Sequence, residues 1–295
     1  MAIIVDSKAA FNFHLTVVVS IPLGCSSIEV NISAGGYKLM GKIWLPITIV
    51  VIVFISIAEP CKAAAVVEWV YGRAVNMAGQ VEYLEEHAIE YENGRLTAIR
   101  TTYYSATFQK IGEQVSDFSH GPQLGSYGFE DERLQYSDGV LVMPDRILMY
   151  CKEAPHAETK RKYIPRDSNQ IVGQGFNQFI VANLDSLARG DRLTAKLVLP
   201  AQMDQYDVRI SKSHIQGNRI SVRIEVDNWF LRLLTPHVEA EFDLSSGKVL
   251  RYQGVSMISD QDGKTVEVAI TYDYPRQPLL LSSIFKPATP TSGRN

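Results

Sequence analysis

Strict alternation of apolar and polar residues in the C-terminal half of the chain limits the folds open to it. Residues 220–227 read Ile-Ser-Val-Arg-Ile-Glu-Val-Asp, and residues 238–244 and 266–272 repeat the period of two. A β-strand sends successive side chains to opposite faces, so each segment has one apolar and one polar face. This pattern is typical of antiparallel sheets with one covered face. Tight turns between the segments predict that neighbours in sequence pair in space.

One helix is predicted ahead of these strands, over residues 174–189. Its apolar residues recur at spacings of three and four, which places them on one stripe. The stripe consists of Phe176, Phe179, Ile180, Leu184 and Leu187. Gly190 follows, and glycine commonly ends a helix in the left-handed conformation. We expect this stripe to pack on the buried face of the sheet that follows.

Residues 66–162 read as a further series of strands. Runs of β-branched and aromatic residues are separated by turn signals, among them Asn93-Gly94 and the Ser-Asp-Gly of residues 137–139. Gly72 lies inside the first run and predicts a bulge or a close backbone approach. The whole pattern predicts a mainly β fold: a large antiparallel meander that forms a curved sheet or a half or partly closed barrel with one packed α-helix.

The helix, the Gly190-Asp191 pair and the alternating meander resemble uncharacterised periplasmic β-rich proteins of unknown function. More distantly, they resemble the half-barrel folds of lipoprotein carriers. The resemblance covers residues 175–274 and rests on pattern rather than on a diagnostic motif. It implies a scaffold and brings no catalytic residues with it.

An apolar run over residues 43–58 divides the chain. Lys42 precedes it, and residues 63–65 are three alanines. A signal peptide has a basic start, an apolar core of about 7–15 residues and small residues before the cut, whereas a membrane-spanning helix needs about 20 apolar residues. The length of this run lies between the two classes. We favour a cleaved signal with the cut before Val66 over a single-pass membrane anchor.

These features predict four regions. Residues 1–39 are a mis-annotated or disordered leader, because Met40 fits a start, and residues 40–65 are the signal peptide or anchor. Residues 66–285 form a single β-rich domain, and residues 286–295, rich in Pro, Thr and Ser, are a disordered tail. A net charge of −3 provides no field for nucleic acid. We expect an exported protein of the periplasm or cell envelope, or alternatively a membrane-anchored one.

An apolar segment breaks the alternation and predicts a binding or docking surface. Phe230 continues the apolar face of the preceding strand, whereas Trp229, Leu231 and Leu233 fall on the face that was polar. A water-facing apolar row of this kind needs a cover, such as a ligand or a partner. The alternative is a corner strand buried on both faces.

A basic cluster predicts a second surface, for anionic lipid or an acidic partner. It consists of Lys160, Arg161, Lys162 and Arg166. The alternative is an edge strand that lysine protects from pairing with other chains.

Residues with catalytic or metal-binding chemistry are scattered. His87 shares a strand face with Glu85, but no second histidine lies near it in sequence. Residues 117–120 (Asp-Phe-Ser-His) are predicted to cap local backbone, Cys151 to lie in the core, and residues 173–175 to form a tight turn rather than a phosphate loop. The sequence contains no motif for a cofactor or a metal.

The sequence therefore predicts a non-catalytic binding module for an apolar or lipid-like ligand. One alternative is an envelope assembly protein that docks a partner through a strand edge or the basic cluster. A second alternative is a hydrolase whose residues meet only in the fold. An apolar cavity favours the first, a filled core with a long unpaired edge favours the second, and a buried cluster of His87, His120 or His214 with carboxylates favours the third.

Overall fold

The computed structural model describes residues 65–227 and 238–285, and the backbone of two strands nearer the N-terminus. The chain divides into two units, Met1–Lys62 and Ala63–Asn295. In the first unit, β1 (His14–Val19) and β2 (Ile28–Ser33) pair antiparallel.

The second unit is built on one sheet. Its strands in the described residues are β3 (Val66–Val75), β4 (Val81–Glu92), β5 (Arg95–Ser105), β6 (Lys110–Asp117), β7 (Ser126–Asp131), β8 (Tyr136–Val142), β9 (Arg146–Lys152), β10 (Lys160–Pro165), β11 (Gln170–Val172), β12 (Leu193–Leu199), β13 (Asp204–Gln216), β14 (Arg219–Val226), β15 (Val238–Asp243), β16 (Val249–Val255) and β17 (Glu267–Asp273). Strands β3 to β10 form one meander and β12 to β17 a second, and β17 pairs with β3 to join them. Within this sheet every pair is antiparallel except β11 with β12. The predicted mainly β fold with a large, curved antiparallel meander is confirmed.

The sheet curls until its two edge strands, β10 and β11, approach each other without closing. Only four residues separate the edge strands in the chain. Lys162 on β10 pairs with Asp204 at the start of β13, with 3.1 Å between Nζ and Oδ1. A 3₁₀ helix, Pro200–Gln202, contacts β8 and β9 from the other end of the sheet. The concave face is therefore the interior of the unit.

The predicted single helix is two helices, α1 (Gly175–Ala182) and α2 (Leu184–Arg189), which meet at Asn183. The Asn183 side chain donates to the Phe179 carbonyl at 2.8 Å, and its main-chain N–H bonds instead to the carbonyl of Ile180. The side chain thus takes the acceptor that a continuous helix would use, and the turn tightens. Gly190 ends α2 with a φ of 101°, as predicted.

The apolar stripe of α1 and α2 packs on the concave face, which confirms its predicted partner. Ile180, Leu184 and Leu187 are buried. They belong to one cluster with sheet residues Ala195, Val208, Ile210, Ile220, Val222, Ile224, Ala240 and Phe242. The helices therefore cover the β12–β15 half of the interior.

Side chains of the sheet itself fill the other half. One buried cluster joins Tyr83, Tyr103, Phe129, Met149, Val198 and Ile270, which lie on six different strands. The loop between β16 and β17, residues 256–266, adds Ile258 to the same cluster. On the opposite face, a short C-terminal helix, α3 (Leu281–Ile284), leads to Phe285, which packs with Tyr71 and Leu84. Among the described residues, no helix has the length and apolarity to cross a membrane.

Burial of the helix stripe predicts the effect of Leu184→Ala. Leu184 is only 6% exposed, so truncation is expected to lower the free energy of unfolding by about 2–5 kcal/mol. Leu141→Ala is a matched control, because Leu141 on β8 is 45% exposed and its truncation should stay within about 0.5 kcal/mol. Urea unfolding of both variants measures the difference. Equal effects would contradict the packing.

Candidate functional site

The apolar segment with Trp229, Phe230, Leu231 and Leu233 lies outside the described residues, between β14 and β15 in sequence. Its role as a ligand-binding or docking surface stays a prediction. The predicted tail over residues 286–295 also lies outside them, as does the predicted signal peptide or anchor over residues 40–65 except for its last residue.

The basic cluster lies at the free edge of the sheet, on and after β10. Lys160 pairs with Glu153 at 2.6 Å and Lys162 with Asp204 at 3.1 Å. Arg166 donates to the carbonyl of Met143 at 3.2 Å, and Arg161 is exposed. Carboxylates thus balance the two lysines locally.

His87 lies in the interior beside Glu85, on the concave face of β4. Its Nε2 is 2.9 Å from Glu85 Oε2, and its Nδ1 is 2.8 Å from Thr101 Oγ1 on β5. The prediction that His87 and Glu85 share a face is confirmed. Gly72 on β3 lies opposite Glu85, and a Cβ there would come within 2.7 Å of Glu85 Oε2. The predicted close approach at Gly72 is therefore made by this carboxylate.

A chain of hydrogen bonds continues from Thr101 toward the helix. Gln174, just before α1, donates to Thr101 Oγ1 at 2.7 Å and accepts from Ser116 Oγ at 2.8 Å. Gln114 Nε2 donates to Ser116 Oγ at 3.3 Å. If Thr101 donates to Nδ1 and Nε2–H donates to Glu85, all the hydrogen bonds of this chain run in the same direction, from Gln114 to Glu85. The chain satisfies polar groups that would otherwise cost about 1–3 kcal/mol each.

Thr101, His87 and Glu85 lie in the order hydroxyl, imidazole, carboxylate that a hydrolytic triad uses. The Thr101 hydroxyl is completely buried and already bonded to both His87 and Gln174. A substrate carbonyl has no room beside it in this arrangement. The geometry supports a structural role for these residues in joining β4, β5 and α1. The described residues contain no group of three side chains suited to hold a metal ion.

The remaining residues singled out in the sequence make local contacts. The main-chain N–H of Ser119 donates to Asp117 Oδ1 at 2.8 Å, which confirms the predicted local cap. Cys151 is buried, as predicted for a core residue. A Cβ on Gly175 would meet the carbonyl oxygen of Gln123 at 2.4 Å, so residues 173–175 form the predicted tight turn against β7's preceding loop.

A cleft of about 350 Å³ opens between the β7–β8 hairpin and the loop of residues 256–266. We call it the hairpin cleft. Its apolar lining is Phe129, Leu134, Tyr136 and Met257, and its polar lining includes Asp131, Glu153, Ser259 and Asp262. Arg133 binds Asp131 with two nitrogens, at 3.1 and 2.6 Å, and also donates to the Ser259 carbonyl at 2.9 Å. This arginine fixes the loop to the hairpin.

Asp138 lies two residues after Tyr136 on β8, on the same concave face of the sheet, and is more deeply buried. It is 5% exposed, and its Oδ2 accepts from the Tyr136 hydroxyl at 2.8 Å. Its other oxygen, Oδ1, is buried without a hydrogen-bond partner in the described structure. Burial raises the pKa of Asp138 to about 6, and the Tyr136 hydrogen bond offsets part of that rise. An unpaired buried carboxyl is costly and calls for an explanation.

Titratable neighbours of Asp138 are neutral at pH 7. They are Tyr103, Tyr127, Tyr136, Tyr150 and Cys151. Burial, followed by the Asp138 charge, raises the pKa of Tyr136, and burial raises the pKa of the Cys151 thiol. Cys151 Sγ lies 3.6 Å from the Tyr136 hydroxyl. The aromatic wall of the hairpin cleft, formed by Phe129 and Tyr136, thus has the Asp138 carboxyl behind it. None of the titratable neighbours of Asp138 is a cation that could neutralise its charge.

Asp138 could not be recognised as a site residue from the sequence, because residues 137–139 were predicted to form a turn. That prediction is wrong. These residues lie inside β8. Gly139 serves close packing there, since a Cβ would come within 2.4 Å of the Tyr150 hydroxyl and 2.3 Å of the Tyr127 carbonyl. The turn lies earlier, where Gln135 has a φ of 50°. The alternation of Tyr136, Asp138 and Val140 was the available signal for an acid facing the interior.

Comparisons with known proteins add little to this geometry. No protein-family model matches the chain, and no curated protein matches it. The chain is similar to a crystal structure of a beta-barrel-like protein of Domain of Unknown Function DUF1849 from Brucella abortus, with a TM-score of 0.46 and 6% sequence identity, over 72% of this chain and 99% of that one. The periplasmic and lipoprotein-carrier details of the resemblance stay predictions.

The raised pKa of Asp138 predicts a pH dependence of stability. The pKa of Asp138 is about 6 in the folded protein and 3.8 in the unfolded chain, so the folded protein binds the proton more tightly. The free energy of unfolding should therefore rise as pH falls through about 6 toward 3.8. Between pH 8 and pH 5 the gain is about 1 kcal/mol. Asp138→Asn is expected to lose this gain in urea unfolding at the two pH values.

Asp207→Asn is the control for this measurement, since Asp207 is exposed on β13. It should keep the pH dependence of the unsubstituted protein. The same pH dependence in all three proteins would show that Asp138 does not titrate in this range.

Proposed function

We propose that the protein is an exported, non-catalytic binding module of the cell envelope, and that its ligand is a small, largely apolar or lipid-like molecule held in the hairpin cleft. The observation that carries the proposal is the cleft itself. Its volume of about 350 Å³ falls at the lower end of the range for small-molecule sites, about 300–1,000 Å³. Two aromatic rings, Phe129 and Tyr136, form part of its lining.

The charges around the cleft support a ligand without net charge. Asp131 pairs with Arg133 at 2.6 Å, and Glu153 pairs with Lys160 at 2.6 Å. Asp262 lies 3.8 Å from Lys264. Each lining carboxylate therefore has a basic neighbour, and Phe129, Leu134, Tyr136 and Met257 supply apolar contact. Tyr136 donates to Asp138 and accepts from the Cys151 thiol, so its hydroxyl is satisfied within the protein and its ring is the part offered to a ligand.

Among the described residues, the interior beneath the cleft is filled by side chains. Both halves of the concave face are covered, one by α1 and α2 and the other by sheet side chains. A bound apolar molecule thus belongs at the cleft rather than under the helix. The segment with Trp229, Phe230, Leu231 and Leu233 remains a further apolar surface in the proposal.

Docking of an extended, acidic partner strand on β10 is the alternative function. Within the described part of the chain, no strand pairs with the outer edge of β10, and only its last carbonyl, that of Pro165, accepts a side-chain hydrogen bond, from Gln170 at 3.0 Å. Strand addition uses such an edge, and four basic side chains lie on or beside it. Tyr163 is 57% exposed there and lies near Arg146, with 5.9 Å between the guanidinium carbon and the ring centre.

Met257→Trp tests the proposed binding site. Met257 lines the cleft and is 48% exposed, so a bulkier indole should occupy the space of the ligand. Titration of the full chain with the neutral fluorescent probe N-phenylnaphthylamine should saturate, and the variant should bind about tenfold more weakly. A tenfold loss corresponds to about 55 Å² of apolar contact. Emission of the probe itself is the readout.

Leu141→Trp is the matched control, because Leu141 has similar exposure but does not line the cleft. It should bind the probe as the unsubstituted chain does. Equal losses in both variants, or no saturable binding, would overturn the cleft as the site, and docking at β10 would then be the better-supported function.

Export is tested by the N-terminus of the secreted protein. The folded unit supports a cut before Val66, because β3 begins at Val66. Intact-mass measurement on protein recovered from the envelope of an expressing bacterium should give a chain that begins at or near Val66. Ala65→Arg should block the cut, since the peptidase needs a small residue there. Retention of residues 43–58 by the unsubstituted protein would favour the membrane anchor.

A further inference from the structure

A second cleft, of about 320 Å³, has only polar and charged residues in its lining. We call it the basic groove. Four of its residues are cations, Arg192, Arg209, Lys212 and Arg223, and the others are Ser211, Ser213 and Glu225. It lies where β13 and β14 extend beyond β12, and it shares no lining residue with the hairpin cleft.

The cations of the groove exceed the carboxylates that neutralise them. Arg209 pairs with Glu225 at 3.0 Å, and Arg223 binds Glu239 through two nitrogens, at 3.1 and 2.7 Å. Within residues 65–227 and 238–285, neither Arg192 nor Lys212 forms an ion pair. Lys212 donates to the Ala188 carbonyl at the end of α2, at 2.8 Å, which uses one of its three N–H donors.

Main-chain groups add to this surplus of donors. The pairing of β12 with β13 stops at Leu193 and Ile210, while β13 continues to Gln216. The edge from Ser211 onward therefore has no strand beside it on that side. A β-bulge between Lys212 and His214 leaves Ser213 outside the ladder with β14, and bulges of this kind often lie beside binding sites.

We propose that the basic groove binds a phosphate group, either of a soluble phosphomonoester or of a lipid headgroup. Arg192, the oriented guanidinium groups of Arg209 and Arg223, and the Ser211 hydroxyl match the oxygens of a phosphate, and arginine forks bind such oxygens in pairs. The Ser213 hydroxyl is already a donor to the Ser221 carbonyl, at 3.3 Å, and Lys212 lies on the helix side of β13, paired in register with buried Val222, so both contribute at the margin of the groove. The predicted basic cluster at β10 differs in this respect, because Lys160 and Lys162 each have a carboxylate partner.

Calorimetric titration of the full chain with inorganic phosphate at pH 7.5 tests the site. Saturable binding is expected, and Arg192→Ser should weaken it about tenfold, since a charge-assisted hydrogen bond contributes at least that factor. Lys212→Gln should weaken it less, because the Lys212 ammonium is bonded to the Ala188 carbonyl on the helix side of β13. Arg192 is exposed, so its substitution leaves the fold intact.

The double variant Lys160→Ser with Lys162→Ser is the control for net charge. It removes as many positive charges as Arg192→Ser with Lys212→Gln, yet should bind phosphate within about twofold of the unsubstituted chain. Equal weakening by the two doubles would show a general electrostatic effect and overturn the site. Absence of saturable binding in the unsubstituted chain would overturn it as well.

Vesicles distinguish the two sources of phosphate. Phosphatidylcholine vesicles with and without phosphatidic acid are sedimented with the unsubstituted chain and with Arg192→Ser. If the headgroup is the ligand, phosphatidic acid increases co-sedimentation of the unsubstituted chain, and Arg192→Ser reduces that increase. If saturable phosphate binding persists without any such difference, the ligand is a soluble phosphomonoester.

Discussion

Burial of one continuous sheet face organises this protein. A sheet as long as this cannot leave its apolar face in water, and curling lets that face cover itself. In the β12–β15 half of the interior, α1 and α2 complete the cover, and Leu187 and Phe242 are fully buried there. The edge strands β10 and β11 do not pair with each other, and β11 bonds instead to the residues before β7, where the Val172 N–H donates to the Gln123 carbonyl at 3.1 Å. Both proposed sites and the free edge lie where this covering ends.

Two of the three buried acids in the described residues, Glu85 and Asp138, have different hydrogen-bonding environments; the third, Asp131, is paired with Arg133. Glu85 Oε2 lies 2.9 Å from His87 Nε2 and has space beside Gly72, and a chain of side-chain hydrogen bonds reaches from it to Gln174, just before α1. Such a network stabilises a specific arrangement because every member is satisfied. Asp138 has one hydrogen bond and one bare oxygen. The fold therefore tolerates a cost at Asp138 that it avoids at Glu85, and Asp138 lies directly behind the aromatic wall of the hairpin cleft.

Strand periodicity was enough to predict the fold class, the order of the meander and the face on which the helix packs. Strand periodicity was not enough to predict the candidate sites. Thr101 and Gln174 contact each other across 73 residues of sequence, and only strand register and the curl of the sheet bring them together. The prediction of a turn at residues 137–139 was wrong because glycine supplies both turns and close contacts, and the Tyr150 ring that packs on Gly139 lies on another strand.

Which basic residues are neutralised by carboxylates could not be predicted from the sequence either. Lys160, Arg161 and Lys162 are adjacent in the chain and therefore visible as a cluster, but Glu153 and Asp204 balance the two lysines in the fold. Arg192 and Lys212 are separated by an entire strand and a 3₁₀ helix, and β13 brings them to one groove. Ion pairs across strands hold Arg209 and Arg223 in fixed orientations beside them. Partly buried guanidinium groups that are already oriented lose little further entropy on binding, so this groove is better prepared for an anion than the contiguous cluster at the edge.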